Sequence, residues 1–183
     1  MKVMIASDIH GSAYYCKKLI EAYKSEKADK LLLLGDILYH GPRNDLPKEY
    51  APKKVIEMLN AIKEEILCVR GNCDAEVDQM VLEFPIMADY CTLQIDDITV
   101  FATHGHIYNM ENVPPLKKGD ILLHGHTHVP TCVRFGGETG ADYIYMNPGS
   151  LSIPKEDSHH GYMICEGSYF TWKDLDGKEI NIL

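Results

Sequence analysis

Seven residues with oxygen or nitrogen donor atoms recur at the ends of short apolar runs: Asp8, His10, Asp36, Asn72, His104, His126 and His128. "KVMIASDIHG" ends on the first two, "KLLLLGD" on Asp36, "EILCVRGNCD" on Asn72, "ITVFATHGH" on His104, and "DILLHGHTH" on the last two. Imidazole, carboxylate and amide oxygen without thiolate suit borderline-to-hard divalent ions such as manganese, iron, zinc or cobalt. Seven donors are too many for one such ion. They suffice for two if one carboxylate bridges, and Asp36, central in chain order, is the natural bridge. Two ions about 3.5–4 Å apart can acidify a shared water and clamp phosphate oxygens in an in-line displacement. Between Asn72 and Asp74 stands Cys73, which raises nucleophilic cysteine chemistry as a rival.

The spacing within motifs favours pairing. Asp8 and His10 are two residues apart, as are His126 and His128. On an extended strand end each pair would share one side, with Thr127 turned away. His106 repeats that interval after His104 and is expected to support the ligands from behind or to be structural. His124, inside "ILLHG", reads as a satisfied core histidine. His40, Arg43 and Asn44 in "HGPRN" follow Asp36 on a Gly/Pro-bounded loop that could touch a substrate phosphate, although ordinary loop chemistry accounts for it as well. Asn147 in "NPGS" is expected in a turn near the site, and His159 and His160 in a polar turn without a catalytic part.

These residues need a scaffold that ends many strands at one place. Apolar runs of four to six residues bounded by Gly fit buried strands. Between the first three runs lie two helical patterns. Residues 12–26 carry Ser12 as an N-cap and set Leu19, Ile20 and Tyr23 on one side. Residues 51–64 carry Pro52 in the first turn and Val55, Ile56, Leu59 and Ile62 at helical spacing. The first half therefore predicts β-α-β-α-β with parallel strands, whose carboxyl ends collect ligand sites. A short acidic helix is expected near 75–82. Beyond it, runs at 90–95, 98–103, 121–124, 131–135, 142–146, 161–165, 168–172 and 178–182 are divided by the turns "DD", "FGGETG", "EG" and "DLDG". Hairpins and a second, mixed sheet follow from that pattern. The expectation is an α/β protein, two packed sheets with helices outside, forming one domain over residues 1–183.

Composition narrows the functions. A balance of 18 basic and 27 acidic residues gives a net charge of −9, and no basic stripe interrupts it. A broad polyanion-binding face, and with it stable nucleic-acid binding, is not expected. The six cysteines (16, 68, 73, 91, 132, 165) form no CxxC pair and follow no signal-like segment, so an intracellular, reduced, cytoplasmic protein is expected. No apolar run approaches the roughly 20 residues that span a bilayer.

The motifs "D8-x-H10", "G35-D36", "G71-N72-C73-D74", "H104" and "G125-H126-T127-H128" resemble, in this order, those of the calcineurin-like metallophosphoesterases. "HGPRN", "LPKEYAP", "RGNCDAEVDQM", "FPI" and "NPGSLSIPK" further resemble its small single-domain YfcE-type phosphodiesterases, over nearly the whole chain. The resemblance implies a four-layer α/β/β/α sandwich and a dinuclear centre. One metal would take Asp8, His10 and His128, the other Asn72, His104 and His126, with Asp36 bridging. It implies manganese first among the metals, with iron, zinc, cobalt or nickel compatible, and metal-bound hydroxide as the nucleophile, which removes Cys73 from that role.

In much of the family the residue after the metal-binding Asn is a histidine that serves the leaving group, oriented by an acidic neighbour. Here Cys73 takes that position and Asp74 keeps the acidic slot. A thiol of ordinary pKa about 8.5 is a weak donor and a poor acid at neutral pH. Losing a positioned general acid typically costs about 10²–10⁴-fold, most for poor leaving groups. The expected substrate is therefore a small phosphodiester with a stabilised leaving group. A phosphomonoesterase or nuclease on the same site, and a non-catalytic scaffold of the retromer-subunit type, are the rivals. A homo-oligomer is compatible with the sequence.

Overall fold

Strands that are apolar at every position need cover on both faces, and the first two strands receive it. In the computed structural model, which describes residues 1–137 and 142–182, the chain runs in order through β1 (Lys2–Ala6), α1 (Ala13–Glu26), β2 (Lys30–Leu33), α2 (Pro52–Asn60), β3 (Ile66–Cys68), α3 (Glu76–Gln79), β4 (Tyr90–Ile95), β5 (Ile98–Thr103), β6 (Ile121–Leu123), β7 (Thr131–Phe135), β8 (Tyr143–Asn147), β9 (Gly161–Glu166), β10 (Tyr169–Asp174) and β11 (Glu179–Ile180). Of the expected "FGGETG" turn, residues 138–140 lie outside the described residues.

Two mixed sheets result. The first has the order β11-β10-β9-β1-β2-β3, the second β4-β5-β6-β8-β7. Strands β1, β2 and β3 are parallel, with Ala6 opposite Leu33 and Leu33 opposite Cys68, while β9 joins β1 antiparallel. In the second sheet β5, β6 and β8 are parallel, flanked by antiparallel β4 and β7. Alternation splits each central strand between two cores. Met4, Ala6, Leu31 and Leu33 face α1 and α2, meeting Cys16, Leu19, Val55 and Leu59. Val3, Ile5, Leu32 and Leu34 face the second sheet, meeting Val100, Ala102, Ile121, Leu123 and Met146. Each such fully buried aliphatic side chain contributes on the order of 1.5–3 kcal/mol over its exposed state.

The helices follow their local signals. The Ser12 side chain caps α1 by accepting the Tyr15 amide, and Lys27 ends the helix in the left-handed conformation. Of the three residues expected on one side of α1, Leu19 and Tyr23 are buried and Ile20 is half-buried. α2 begins at Pro52 and stops at Asn60, four residues short of the expected end, because residues 63–65 tighten into a 3₁₀ turn before β3. The acidic helix spans only 76–79.

The expected sandwich is present, with a refinement in its outermost layer. Helices cover the first sheet, whereas on the second sheet the segment between β5 and β6, which holds no helix among the described residues, packs Tyr108 against Tyr90 and Phe101. Tyr108 sets its ring edge-on to Tyr90 and Phe101, which stack on each other at 4.5 Å. Gly105, Pro114, Pro115 and Gly119 in that segment explain why it stays irregular.

Candidate metal centre

The polar residues do not lie on the strands but on the turns just beyond them. β1 ends at Ala6, and the ladder to β2 then continues between two turns: Asp8 N donates to Gly35 O, His10 N to Asp36 O and Gly11 N to Ile37 O. Within these turns Asp8, His10, Asp36, His126 and His128 all adopt left-handed backbone, with φ of 61°, 49°, 55°, 64° and 66°. The extended geometry expected for Asp8/His10 and His126/His128 is thus replaced by alternating left-handed residues. The reason is packing: this turn sends Ile9, fully buried, into the helix-side core while Asp8 and His10 stay on the site side. Left-handed non-glycine residues cost of order 1–3 kcal/mol and persist only where surrounding contacts over-determine them.

Those contacts are visible. The Asp8 carbonyl accepts from Ser150 Oγ, Ser152 Oγ and Ser152 N at 3.2, 3.0 and 3.3 Å. The Asp74 carboxylate, 3% exposed, accepts from the amides of Asp36, Ile37 and Gly71 at 2.8, 2.9 and 2.7 Å, clamping the 35–37 turn to the 71–74 turn. Asn147 Nδ2 donates to Gly125 O, Thr127 Oγ1 and Tyr145 Oη, and Trp172 Nε1 fixes the Asn147 carbonyl at 2.7 Å. Two glycines permit the close approach. A Cβ on Gly71 would stand 2.1 Å from Asp36 Oδ1, and one on Gly125 1.9 Å from Ser7 Oγ.

The seven expected donors converge. In one group His10 Nε2 and His128 Nε2 lie 3.6 and 3.2 Å from Asp8 Oδ1 and 3.4 Å from each other. In the other, His104 Nε2 lies 3.0 Å from Asn72 Oδ1 and 3.2 Å from His126 Nδ1. Asp36 Oδ2 stands between them, 3.7 Å from His10 Nε2 and 3.5 Å from His104 Nε2, while its Oδ1 accepts the Cys73 amide at 2.8 Å. Three of the rings are aimed by backbone. His10 Nδ1 donates to Tyr39 O, His104 Nδ1 to Leu34 O and His128 Nδ1 to Ile153 O, at 2.7, 2.6 and 2.6 Å. With those protons on Nδ1, each Nε2 presents a lone pair to the centre.

Those lone pairs face one another and a carboxylate. Asp8 Oδ1 is buried with no hydrogen-bond partner, which in a protein interior needs an explanation. A divalent cation between Asp8, His10 and His128, and another among Asn72, His104 and His126 with Asp36 shared, would satisfy every one of these atoms. The residues therefore fit the metals that the motifs imply. The electrostatics agree with a cation trap. Burial would raise the Asp8 carboxyl, but the His10 and His128 rings and the nearby His104 hold it well below the ordinary range. Burial opposes charging of His10, yet Asp8, Tyr39 O and Asp36 together raise its pKa, whereas burial and His104 lower that of His126. Protons and metals compete for the same nitrogens.

The other expected residues sort themselves around a cleft of about 350 Å³ above this centre. Arg43 and Asn44 line it, together with Cys73. His40 does not; its ring packs edge-on to Tyr39 and Tyr50, and its carbonyl holds Asn44 Nδ2 at 2.8 Å. Cys73 Sγ accepts from Asn72 Nδ2 at 3.2 Å, and burial, then the charge of Asp36, push its thiol up to about 12. Asp74 is spent on the amide clamp, where three converging N–H groups are better donors than a weak S–H. His106 does not line the cleft; its ring lies 5.4 Å from that of His104 and 6.4 Å from that of His126. His124 stacks on Tyr145 at 4.3 Å and bonds only through Nδ1, so it is a core histidine but not a fully satisfied one. Lys155, which no spacing singled out, also lines the cleft. The turn that opens "NPGSLSIPK", a stretch ending in Lys155, was expected near the site, but the hold of its serines on the Asp8 carbonyl had no mark in the sequence.

Comparison with known proteins agrees with this architecture. Residues 1–168 match the calcineurin-like phosphoesterase superfamily domain. The chain is 46% identical over 180 residues to phosphodiesterase YfcE of Escherichia coli strain K12, covering 98% of this chain and 95% of that one. It is 27% identical to phosphodiesterase MJ0936 of Methanocaldococcus jannaschii, covering 81% and 83%. The solved structure of the E. coli phosphoesterase Yfce superposes with a TM-score of 0.92 at 42% identity, over 99% and 97% of the two chains. Vacuolar protein sorting 29 from Cryptosporidium parvum shares the fold alone, with a TM-score of 0.60 at 20% identity over 98% and 94%. With its donor groups meeting on one aspartate and this match over most of its length, the chain belongs to the calcineurin-like phosphoesterase superfamily.

Proposed function

We propose that the protein is a metal-dependent phosphodiesterase that hydrolyses small phosphodiesters at the cleft above Asp36. The observation that carries this reading is the placement of Asp36 Oδ2 within 3.7 and 3.5 Å of His10 Nε2 and His104 Nε2, which makes one carboxylate common to two donor groups. Bound there, two divalent cations, manganese first and iron, zinc, cobalt or nickel compatible, would supply Lewis acidity and a water of lowered pKa. The chain supplies the rest. The Tyr39, Leu34 and Ile153 carbonyls keep three imidazoles in the ligating tautomer, and the Cys73 amide holds Asp36 with Oδ2 inward. Arg43 and Asn44 line the cleft from the loop over Cys73, where a Cβ on Gly41 would stand 3.4 Å from Sγ, and are placed to contact the substrate.

Cys73 narrows the substrate. A half-buried thiol whose proton is held this firmly, beside a leaving oxygen, is a weak donor and a poor acid. Diesters with stabilised leaving groups tolerate this; alkyl phosphomonoesters do not. No helix among the described residues is long and apolar enough to cross a membrane, and six free cysteines support placement in a reducing cytoplasm. Seven potential metal donors converge on Asp36, which supports a catalytic centre over a pure scaffold.

The test is turnover of bis(4-nitrophenyl) phosphate against 4-nitrophenyl phosphate with Mn²⁺ added, on protein whose metal content is measured. Diester turnover well above monoester turnover, with close to two metal equivalents, is the expected result. Comparable or faster monoester cleavage sinks the diesterase assignment, and absence of bound metal favours the scaffold. Cys73→His should raise activity on poor leaving groups, within the roughly 10²–10⁴-fold range of a positioned general acid; no change removes the thiol position from proton delivery.

A further inference from the structure

Of the 18 basic residues, only Arg43 and Lys155 line the cleft. Neither joins an ion pair among the described residues, although Asp45, Glu156 and Asp157 lie close in sequence. Lys155 is not at the rim by accident of a floppy loop. Its amide donates to the His128 carbonyl at 3.2 Å, and its carbonyl accepts from Ser158 N and Ser158 Oγ at 3.1 and 2.6 Å. The turn so closed carries Glu156 and Asp157 in left-handed backbone, φ 55° and 53°. The backbone is therefore fixed where it presents Lys155, an exposed lysine without an ion-pair partner among the described residues, to the cleft.

The charge of the scissile group does not call for these cations. Asp8 and Asp36 are the only charged members of the donor set, so two divalent cations would leave it net positive and able to take the single negative charge of a diester. Two further positive charges, in a protein of net −9, then await a second anion. A phosphate monoester carries about −1.5 to −2 at neutral pH, which matches one guanidinium and one ammonium. Building on the diesterase reading, we propose that Lys155 and Arg43 form an anion subsite, and that the preferred substrates are phosphodiesters carrying a second phosphate on one ester arm.

The experiment compares the 4-nitrophenyl ester of thymidine 5′-phosphate with the same ester phosphorylated at the 3′-hydroxyl, in the metal-loaded enzyme at low ionic strength. The expected wild-type ratio of kcat/KM is about tenfold or more in favour of the phosphorylated ester, the size of one charge-assisted contact, and salt should erode it. Lys155→Gln should bring the ratio close to one, and Lys155→Arg should restore most of it. In parallel, calorimetric binding of thymidine 3′,5′-bisphosphate against thymidine 5′-phosphate should show the same preference and the same loss in Lys155→Gln. A wild-type ratio near one in both measurements overturns the subsite. So does an equal loss for both esters in Lys155→Gln, which would put the lysine on the scissile phosphate. If neither ester is hydrolysed, the diesterase reading fails, and the binding preference still decides the subsite.

Discussion

The two donor groups of the centre are built to different standards of rigidity. In the first, Asp8, His10 and His128 are all buried, both rings are fixed through Nδ1 to backbone carbonyls, and the Asp8 turn is gripped by Ser150 and Ser152. In the second, only His104 is buried and anchored in that way. His126 is half-buried and turns Nδ1 toward His104 instead of toward a carbonyl, and Asn72 is exposed, its Nδ2 spent on the Cys73 sulfur. A donor set held by outer contacts loses less entropy on binding a cation, and such contacts are typically worth about 10–100-fold in affinity. The difference teaches that the centre has a closed half and an open half. The open half adjoins Cys73, where the leaving group would depart.

The largest expected effect comes from removing what the halves share. Asp36→Asn should lower diester turnover by about 10³-fold or more and reduce bound metal in both halves, as measured by kinetics and metal analysis. Loss of only one equivalent, with activity retained, would show that the halves do not depend on a common bridge. Next in size, graded chelation should remove metal in two phases, with midpoints separated by about 10–100-fold in free chelator. His126→Ala should abolish the easier phase and His10→Ala the harder one. A single phase, or the reverse assignment, would erase the contrast between closed and open halves.

The smallest effect lies away from the centre and serves as a control on it. Glu26, at the end of α1, binds Lys173 and Lys2 at 2.7 and 3.0 Å and accepts the Tyr162 hydroxyl at 3.1 Å. Burial would raise its pKa, but Lys173 and Lys2 hold it below the ordinary value of 4.5. A lowered carboxyl contributes stability that is fully present above 4.5 and is lost as pH falls through the folded value. Glu26→Gln should therefore cost about 1–3 kcal/mol at pH 7 by denaturant unfolding, with the gap to wild type closing as the pH falls below 4.5. Its chelation phases should match wild type; a shift in them would mean that metal order tracks global stability, not local anchoring.

Much of the architecture was legible because it rests on periodicity. Runs such as "LLLL" at 31–34 are apolar at every position because β2 is covered on both faces, and their order announced the β-α-β-α-β half. The outermost layer was not legible. Its aromatic cover depends on Tyr108 meeting Phe101 and Tyr90 across the second sheet, a contact without a local pattern. The seven candidate donors were singled out by residue type, whereas the geometry assumed for the Asp8/His10 and His126/His128 pairs, an extended strand end, was replaced by left-handed turns. The part given to Asp74 changed for a related reason: beside Cys73 in sequence, its carboxylate has three amides to accept in space.

By itself, the sequence determined which atoms could hold metal, that none is a thiolate among the seven, and that they stand where short apolar runs stop. Those are properties of side-chain chemistry and of local spacing. Only the tertiary structure decided how the donors pair, because the two imidazoles of the closed half come from positions 118 residues apart. It also decided which half is anchored, where Asp74 spends its charge, and that Lys155 stands over the cleft. Each of these is set by hydrogen bonds between turns that meet only after two sheets have packed, and the order of residues along the chain carries no record of that meeting.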